Sequence, residues 1–363
     1  MSKAIRRGPG IRILRFFGFL FFALFLLIAA VLIFFTVVEY KPAARETLSV
    51  YGVPSGKIQE GQDLRIMSWN IGYGALGDNA DFFMDGGTMV DTADIPRIQQ
   101  NMKGIQDFIS QKDPDLVILQ EVDRNSKRSH FVNELESMNA SLLGYAGTFA
   151  NNYKAFYVPY PLPPLGKVDS GLASYSRYQV ESAERIQLPI PFIWPVRTIN
   201  LKRALLITRM PLENSSRELV LVNLHLEAYD DGEGRAAQSA MLRDILQQEA
   251  KAGNYVIAGG DFNSCFSNVD TSAYPIPKGN WAPHIIETSD FGSGWQFLMD
   301  ESVPSCRTLR YVYTGADPST FQYYVIDGFI VSDNIQVISF EACDQHFVCS
   351  DHNPLLMEIR LKP

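Results

Sequence analysis

The chain has 363 residues, 46% of them hydrophobic, which suffices for a sizeable core built either as two domains or as one two-sheet fold of about 250 residues. Its formal net charge of −8 hides an asymmetry: residues 1–38 hold Lys3, Arg6, Arg7, Arg12 and Arg15 and no acid, so the remainder sets 27 bases against 40 acids, a net of −13. A body this acidic is a poor general binder of duplex nucleic acid, which wants a basic footprint, although clustered acids suit divalent cations.

In chain order, residues 1–15 form a basic tail. Phe16 to Val38 follows as 23 uncharged, mostly apolar residues. At 1.5 Å per residue this run crosses a hydrocarbon core of about 30 Å, so 16–38 is predicted as a transmembrane helix. The basic flank precedes it, which puts the N-terminus in the cytoplasm and the body outside, as a single-pass protein of the cell membrane. A cleaved signal peptide is the rival reading, but its apolar core is usually about 7–15 residues. Residues 39–63 are rich in Pro, Gly, Ser and charge and read as a linker to a catalytic domain at 64–363.

Within that domain Leu64–Ile71 is predicted as a strand. Ile95, Ile98, Met102, Ile105 and Ile109 recur at helical spacing until Asp113-Pro114 breaks the pattern. Leu116–Gln120 reads as a buried strand and 131–143 as helical. Residues 157–195, dense in Pro and aromatics, read as long loops around a strand at 170–176. Leu219–Leu226 is a strand, Arg235–Ala250 an amphipathic helix, and Tyr255–Ala258 a strand running into Gly259-Gly260. Strands near 324–331, 336–342 and 355–361 close the chain. Cys265, Cys306, Cys343 and Cys349 all fall in the last third. Exported, they permit disulfides, with Cys343 and Cys349 close enough to staple one loop, and buried free thiols fit equally well.

Polar residues stand at the ends of these apolar runs. Asn70 ends Ile66–Trp69, Glu121 follows Val117–Gln120, and His225 ends Val220–Leu224. Asp261 and Asn263 follow Val256–Gly260, Asp327 follows Tyr324–Ile326, and Ser350-Asp351-His352 precedes the last strand. A single Asp or Asn after a strand is usually a turn former or helix cap. Six such positions together are another matter, because strand ends in α/β sheets converge on one crevice. Carboxylates and amide oxygens suit Mg²⁺, Mn²⁺ or Ca²⁺. The sequence shows no HExxH and no Cys/His cluster for zinc. Ser350 adjoins Asp351 and His352 too closely to aim at them as a triad nucleophile.

The ordered set Ser68-Trp69-Asn70, Gln120-Glu121-Val122, Asn223-Leu224-His225, Gly260-Asp261-Phe262-Asn263, Ile326-Asp327 and Ser350-Asp351-His352 resembles the endonuclease/exonuclease/phosphatase superfamily over about 64–361. The resemblance implies a four-layer α/β sandwich, two packed mixed β-sheets flanked by helices, here preceded by one transmembrane helix. It also implies a Mg²⁺- or Mn²⁺-dependent hydrolase of phosphate esters, whose substrate is a lipid headgroup, a small phosphate or nucleic acid. Carried over residue by residue, Glu121 is the main metal ligand with Asn70 beside it. Asp261 positions or deprotonates the attacking water and contributes to the metal site. Asn263 holds a phosphoryl oxygen. His352, oriented by Asp327, and His225 face the phosphate, and Asp351 serves metal or water. Relatives pair the first histidine with an upstream Glu or Tyr that has no evident counterpart here. Lys154, Tyr157, Lys167, Lys202 and Arg203 fall where the family shapes substrate access. The same residues suit solvated surface equally well. No protein partner is implied.

Overall fold

The structure, a computed structural model, describes residues 9–363 apart from 231, 316 and 318–320. Half of the expected basic tail, residues 1–8, therefore lies outside the described residues. Helix α1 spans Pro9–Val38, α2 Ile95–Lys112, α3 Glu134–Ser141 and α4 Glu233–Lys251. The strands are β1 Arg45–Thr47, β2 Asp63–Asn70, β3 Leu116–Asp123, β4 Ala146–Val158, β5 Gly166–Ser176, β6 Ser182–Gln187, β7 Ala204–Pro211, β8 Glu218–His225 and β9 Tyr255–Asp261. After them come β10 Ser264–Phe266, β11 His284–Ile286, β12 Trp295–Leu298, β13 Cys306–Arg307, β14 Tyr323–Tyr324, β15 Asp327–Ser332, β16 Ile335–Ala342 and β17 Leu355–Leu361.

Two mixed sheets form, one ordered β1-β6-β7-β8-β9-β15-β12 and the other β16-β17-β2-β3-β5-β4; β10 pairs with β11 and β13 with β14 outside them. Period-2 alternation decides which side chains go where. Leu64 and Ile66, Leu116 and Ile118, Leu219 and Leu221, and Tyr255 and Ile257 meet Phe329, Val331, Met357 and Ile359 between the sheets. The opposite rows lie under helices. Met67, Trp69, Val117 and Leu119 pack on Ile98, Met102, Ile105 and Met138 of α2 and α3. Val220, Val222, Val256 and Ala258 pack on Leu242, Ile245 and Leu246 of α4. The result is the expected helix–sheet–sheet–helix sandwich, with the apolar α1 ahead of it. Helix α2 starts where Asp94 accepts the Arg97 N–H at 2.9 Å and stops where Asp113 turns left-handed at φ 50°.

The Pro-rich stretch differs from its sequence reading. Residues 146–158, not expected as a strand, form β4, and 166–176 and 182–187 form β5 and β6, so the Pro-rich region is less loop than it reads. Register shifts after Asn151 and Ala155 break the alternation of β4, which hides it from pattern. The linker at 39–63 is packed against the domain: β1 adds an edge strand beside β6, and Ile58 is fully buried and bridges to Leu212. Of the two possibilities open for the cysteines, the structure has all four as free thiols.

Candidate active site

The rows that face between the sheets turn polar at one end. Following the same parity, Leu64 and Ile66 lead to Ser68 and Asn70, Leu116 and Ile118 to Gln120, Leu219 and Leu221 to Asn223 and His225, and Tyr255 and Ile257 to Gly259 and Asp261. Just below the site the sheets are tied by Gln120, whose Nε2 donates to Asn223 Oδ1 at 2.8 Å, while Asn223 Nδ2 donates to Leu119 O at 3.1 Å and Ala173 O at 2.9 Å. Gly259 and Gly260 are required by closeness. A Cβ on Gly259 would sit 2.5 Å from the Phe329 ring, and one on Gly260, at φ 138°, would sit 2.0 Å from Leu224 O.

By parity Glu121 belongs under the helices. A bulge between Leu119 and Val122 re-aims it, with Glu121 itself at φ 55°, so its carboxylate reaches the cavity instead. Asn263, at φ 47°, is likewise held left-handed; its Nδ2 donates to Leu226 O at 2.9 Å and its N–H to Asp261 Oδ1 at 2.9 Å.

The structure brings all eight sequence-derived residues to one place. His352 Nδ1 lies 2.7 Å from Asp327 Oδ2, which also accepts from Ser305 Oγ at 2.8 Å. The loop carrying His352 is pinned by Trp69 Nε1 donating to His352 O at 2.9 Å and Ser350 Oγ donating to Asn70 O at 2.7 Å. His225 Nε2 is 3.3 Å from Asp261 Oδ2, a partner other than the upstream Glu or Tyr of the family pattern. Asn70 presents its amide nitrogen to Asp261 Oδ2 at 3.1 Å and to Glu121 Oε1 at 3.4 Å, while its oxygen accepts from Gly72 N at 3.1 Å. As oriented, Asn70 braces the acids; a half-turn of the amide would present Oδ1 to a cation.

Burial sets the protonation pattern. It pushes the Asp261 carboxyl up to about 7, with Asp327 adding to the rise. It pushes Asp351 up to about 6, where the Glu121 charge adds and His352 opposes. His225 falls well below its ordinary value through burial, then through the charges of Arg203 and His352. For His352 burial also opposes the charged ring, but Asp327, with Cys306 and Asp351, outweighs it and holds the pKa well above the ordinary value. One histidine is thus neutral and the other an imidazolium around neutrality.

Glu121, His225, Asp261, Asn263, Asp351 and His352 floor a cavity of about 320 Å³, with Asn70 and Asp327 behind them, and its walls include Tyr73, Phe82, Tyr153, Tyr229, Trp281 and Tyr324. Arg128, which no sequence pattern marks, also lines it, with its guanidinium 3.7 Å from the Tyr73 ring centroid and 3.8 Å from Glu121 Oε2. Cys306 was not expected here either. Its sulfur lies with donor atoms of Asp351 and His352 in a group spanning 4.8 Å, so a mixed Cys/His/Asp cluster absent from the sequence order is assembled in space. Of the basic residues expected near the substrate, only Arg203 lines the cavity, paired with Glu227 at 3.6 Å. Lys202 is buried against Glu39 and Lys154 pairs with Asp169, so both hold structure. Tyr157 is 39% exposed, and Lys167 lies between buried and exposed.

Two facing sheets with a polar pocket at their strand ends define an α/β-sandwich architecture. Residues 67–352 match the profile of the endonuclease/exonuclease/phosphatase family, and the chain belongs to that family. No curated protein sequence matches the chain. Among solved structures, an endonuclease/exonuclease/phosphatase from Beutenbergia cavernae is similar at 20% identity and TM-score 0.55, over 83% of this chain and 72% of that one. The human Nocturnin catalytic domain with bound sulfate is similar at 18% identity and TM-score 0.52, over 87% and 97%. ANGEL2, a 2′,3′-cyclic phosphatase in complex with adenosine-2′,3′-vanadate, is similar at 16% identity and TM-score 0.53, over 87% and 99%. At these identities the likeness concerns the fold.

Proposed function

We propose that the protein is a Mg²⁺-dependent phosphoesterase that hydrolyses a phosphodiester or phosphomonoester of a lipid headgroup or other small phosphate, with residues 64–363 as its catalytic domain outside the cytoplasm. The observation that carries this reading is the split histidine pair: one buried imidazole held charged by Asp327 and a second held neutral, both beside Asp261 on the floor of one pocket.

The donor set fits a hard divalent cation. Glu121 and Asp351 offer carboxylate oxygens; burial, with the Glu121 charge adding to it, raises Asp351, and a cation held by these carboxylates would offset both. Such a cation would supply charge neutralisation for the phosphoryl oxygens. The chain's own residues do the rest. His352, fixed by Asp327, offers a charged N–H toward the phosphoryl group. Asp261, with a pKa near 7, takes a proton from the attacking water, assisted by neutral His225 at 3.3 Å. Asn263 holds an oxygen of the ester, and Arg203 and Arg128 add positive charge to the walls.

The aromatic walls favour an ester with an apolar or ring-bearing leaving group, and the acidic body disfavours duplex DNA. A membrane-bound nuclease is the competing reading, since Tyr229 and Trp281 can also stack a base of a single strand. A panel of sphingomyelin, phosphoinositides, plasmid DNA and p-nitrophenyl phosphate esters, assayed with Mg²⁺, separates them. Turnover of DNA without any lipid or small ester overturns the lipid preference; turnover of none overturns the assignment.

A further inference from the structure

The C-terminal end of α1 is not a free stalk. The Phe34 ring stands edge-on to Phe156 of β4 at 5.5 Å, and Trp194 Nε1 donates to Thr36 Oγ1 at 3.1 Å. One turn on, Glu39 is buried between Arg197 at 3.1 Å and Lys202 at 3.4 Å. These contacts fix where the domain sits along the helix. The uncharged stretch Phe16–Val38 has 23 residues, about 34 Å at 1.5 Å each, some 4 Å more than a hydrocarbon core. Centred, it leaves about 2 Å beyond the core at each end. Phe34 lies four residues, about 6 Å, before Val38, which puts its ring and the Phe156 ring against it about 4 Å inside the hydrocarbon boundary.

The chain around those contacts is built for that depth. Residues 155–166 and 188–196 are two runs without a single charge. Their outward side chains are exposed: Leu162 by 89%, Ile193 by 79%, Phe156 by 60% and Trp194 by 48%. Leaving these in water beside a membrane anchor is unfavourable, and a tryptophan among them suits the interface. The same runs line the cavity with Val158, Tyr160, Leu165 and Phe192, of which Val158 and Leu165 are buried. Register explains the reach. Asp123, at the end of β3, is level with Ser170, whereas the hairpin β4–β5 continues to the pair Val158 and Gly166, about 13 Å further.

We propose that 155–166 and 188–196 form a membrane-inserting rim, seated in the leaflet from which α1 emerges, so that the cavity opens onto the bilayer and takes a phospholipid directly from it. This deepens the proposed function and rests on the reading of α1 as a span. The phosphate goes to the floor and the apolar part of the lipid stays along Tyr160, Leu165 and Phe192.

The test uses the full chain in phosphatidylcholine nanodiscs. A spin label on Leu162→Cys or Ile193→Cys should be more accessible to oxygen than to an aqueous nickel complex. A label on Leu143→Cys, exposed beyond the opposite end of β4, should show the reverse; the unsubstituted chain gives the labelling background of the native thiols. The double variant Leu162→Asp, Ile193→Asp should lose about tenfold or more of turnover on bilayer phospholipid while a soluble p-nitrophenyl diester is hydrolysed as before. Aqueous labels at 162 and 193 overturn the rim. Inserted labels with soluble-ester turnover but no phospholipid turnover in the unsubstituted protein overturn the lipid substrate and leave the phosphoesterase reading standing. Loss of both activities in the double variant, with an unaltered melt, overturns the separation of rim from catalytic floor.

Discussion

Replacing Asp327 by Asn tests the charged-histidine reading at its source. Asp327 Oδ2 and His352 Nδ1 are 2.7 Å apart, and both residues are about 95% buried or more, so solvent screens the pair little. The amide keeps the shape and still accepts from Ser305 Oγ, but it withdraws the charge that outweighs burial in holding His352 protonated. A hydrogen bond to a charged group is worth about 1.5–3 kcal/mol, so kcat should fall roughly 10- to 150-fold. His352→Ala, which deletes the donor, should cost more, about 10²–10⁴. The pH dependence has a definite sign. The folded pKa of His352 lies above its unfolded value of about 6.5. The pairing therefore stabilises fully below that value and is lost as pH rises through the folded pKa, so the stability gap between wild type and Asp327→Asn should narrow toward alkaline pH. The assay is kcat against pH on a p-nitrophenyl diester, with a melting curve for each variant. If Asp327 merely fastens the start of β15 to Ser305, Asp327→Asn will shift the melt and spare turnover. Near-normal kcat in His352→Ala with an unaltered melt would refute the mechanism.

Chelation by EDTA should abolish turnover, with Mg²⁺ or Mn²⁺ restoring it; full activity in EDTA, or rescue by zinc alone, rejects the cation assignment. Asp261→Asn should abolish turnover yet melt higher than wild type at pH 8. The carboxyl is raised to about 7, so wild type loses stability as pH climbs from about 4 through 7 and the amide does not. Asn223→Leu should cost about 2–4 kcal/mol in a denaturant titration, since it strips partners from Gln120, Leu119 O and Ala173 O between the sheets; a loss under about 0.5 kcal/mol means the bridge is not structural. A reporter fused after Pro363 should be active only in its exported form, and a cytoplasmic signal would reverse the topology proposed from the basic flank.

The site was legible in sequence to the extent that it follows local periodicity. Asn70, His225 and Asp261 sit in rows whose parity is fixed by Leu64, Leu219 and Tyr255, so a period of two carries each to the polar end of the inter-sheet space. The 23 uncharged residues before Glu39 announce a span-length helix by length alone. What depended on tertiary structure lies where that periodicity is broken or where distant segments meet. Glu121 has the wrong parity for the site, and only the bulge that pairing with β5 imposes turns it inward. Cys306 reaches His352 through an isolated bridge between residues 46 apart, which no local spacing encodes. The two uncharged runs, 155–166 and 188–196, read as Pro-rich loops in one dimension. What the fold adds to them is that α1, more than 115 residues earlier, packs its last turns against Phe156 and Trp194, which is the ground for the rim proposed above. Periodicity is a property of neighbouring residues along the chain, whereas the company of His352 and the seat of α1 against the domain are set by packing between segments far apart in it.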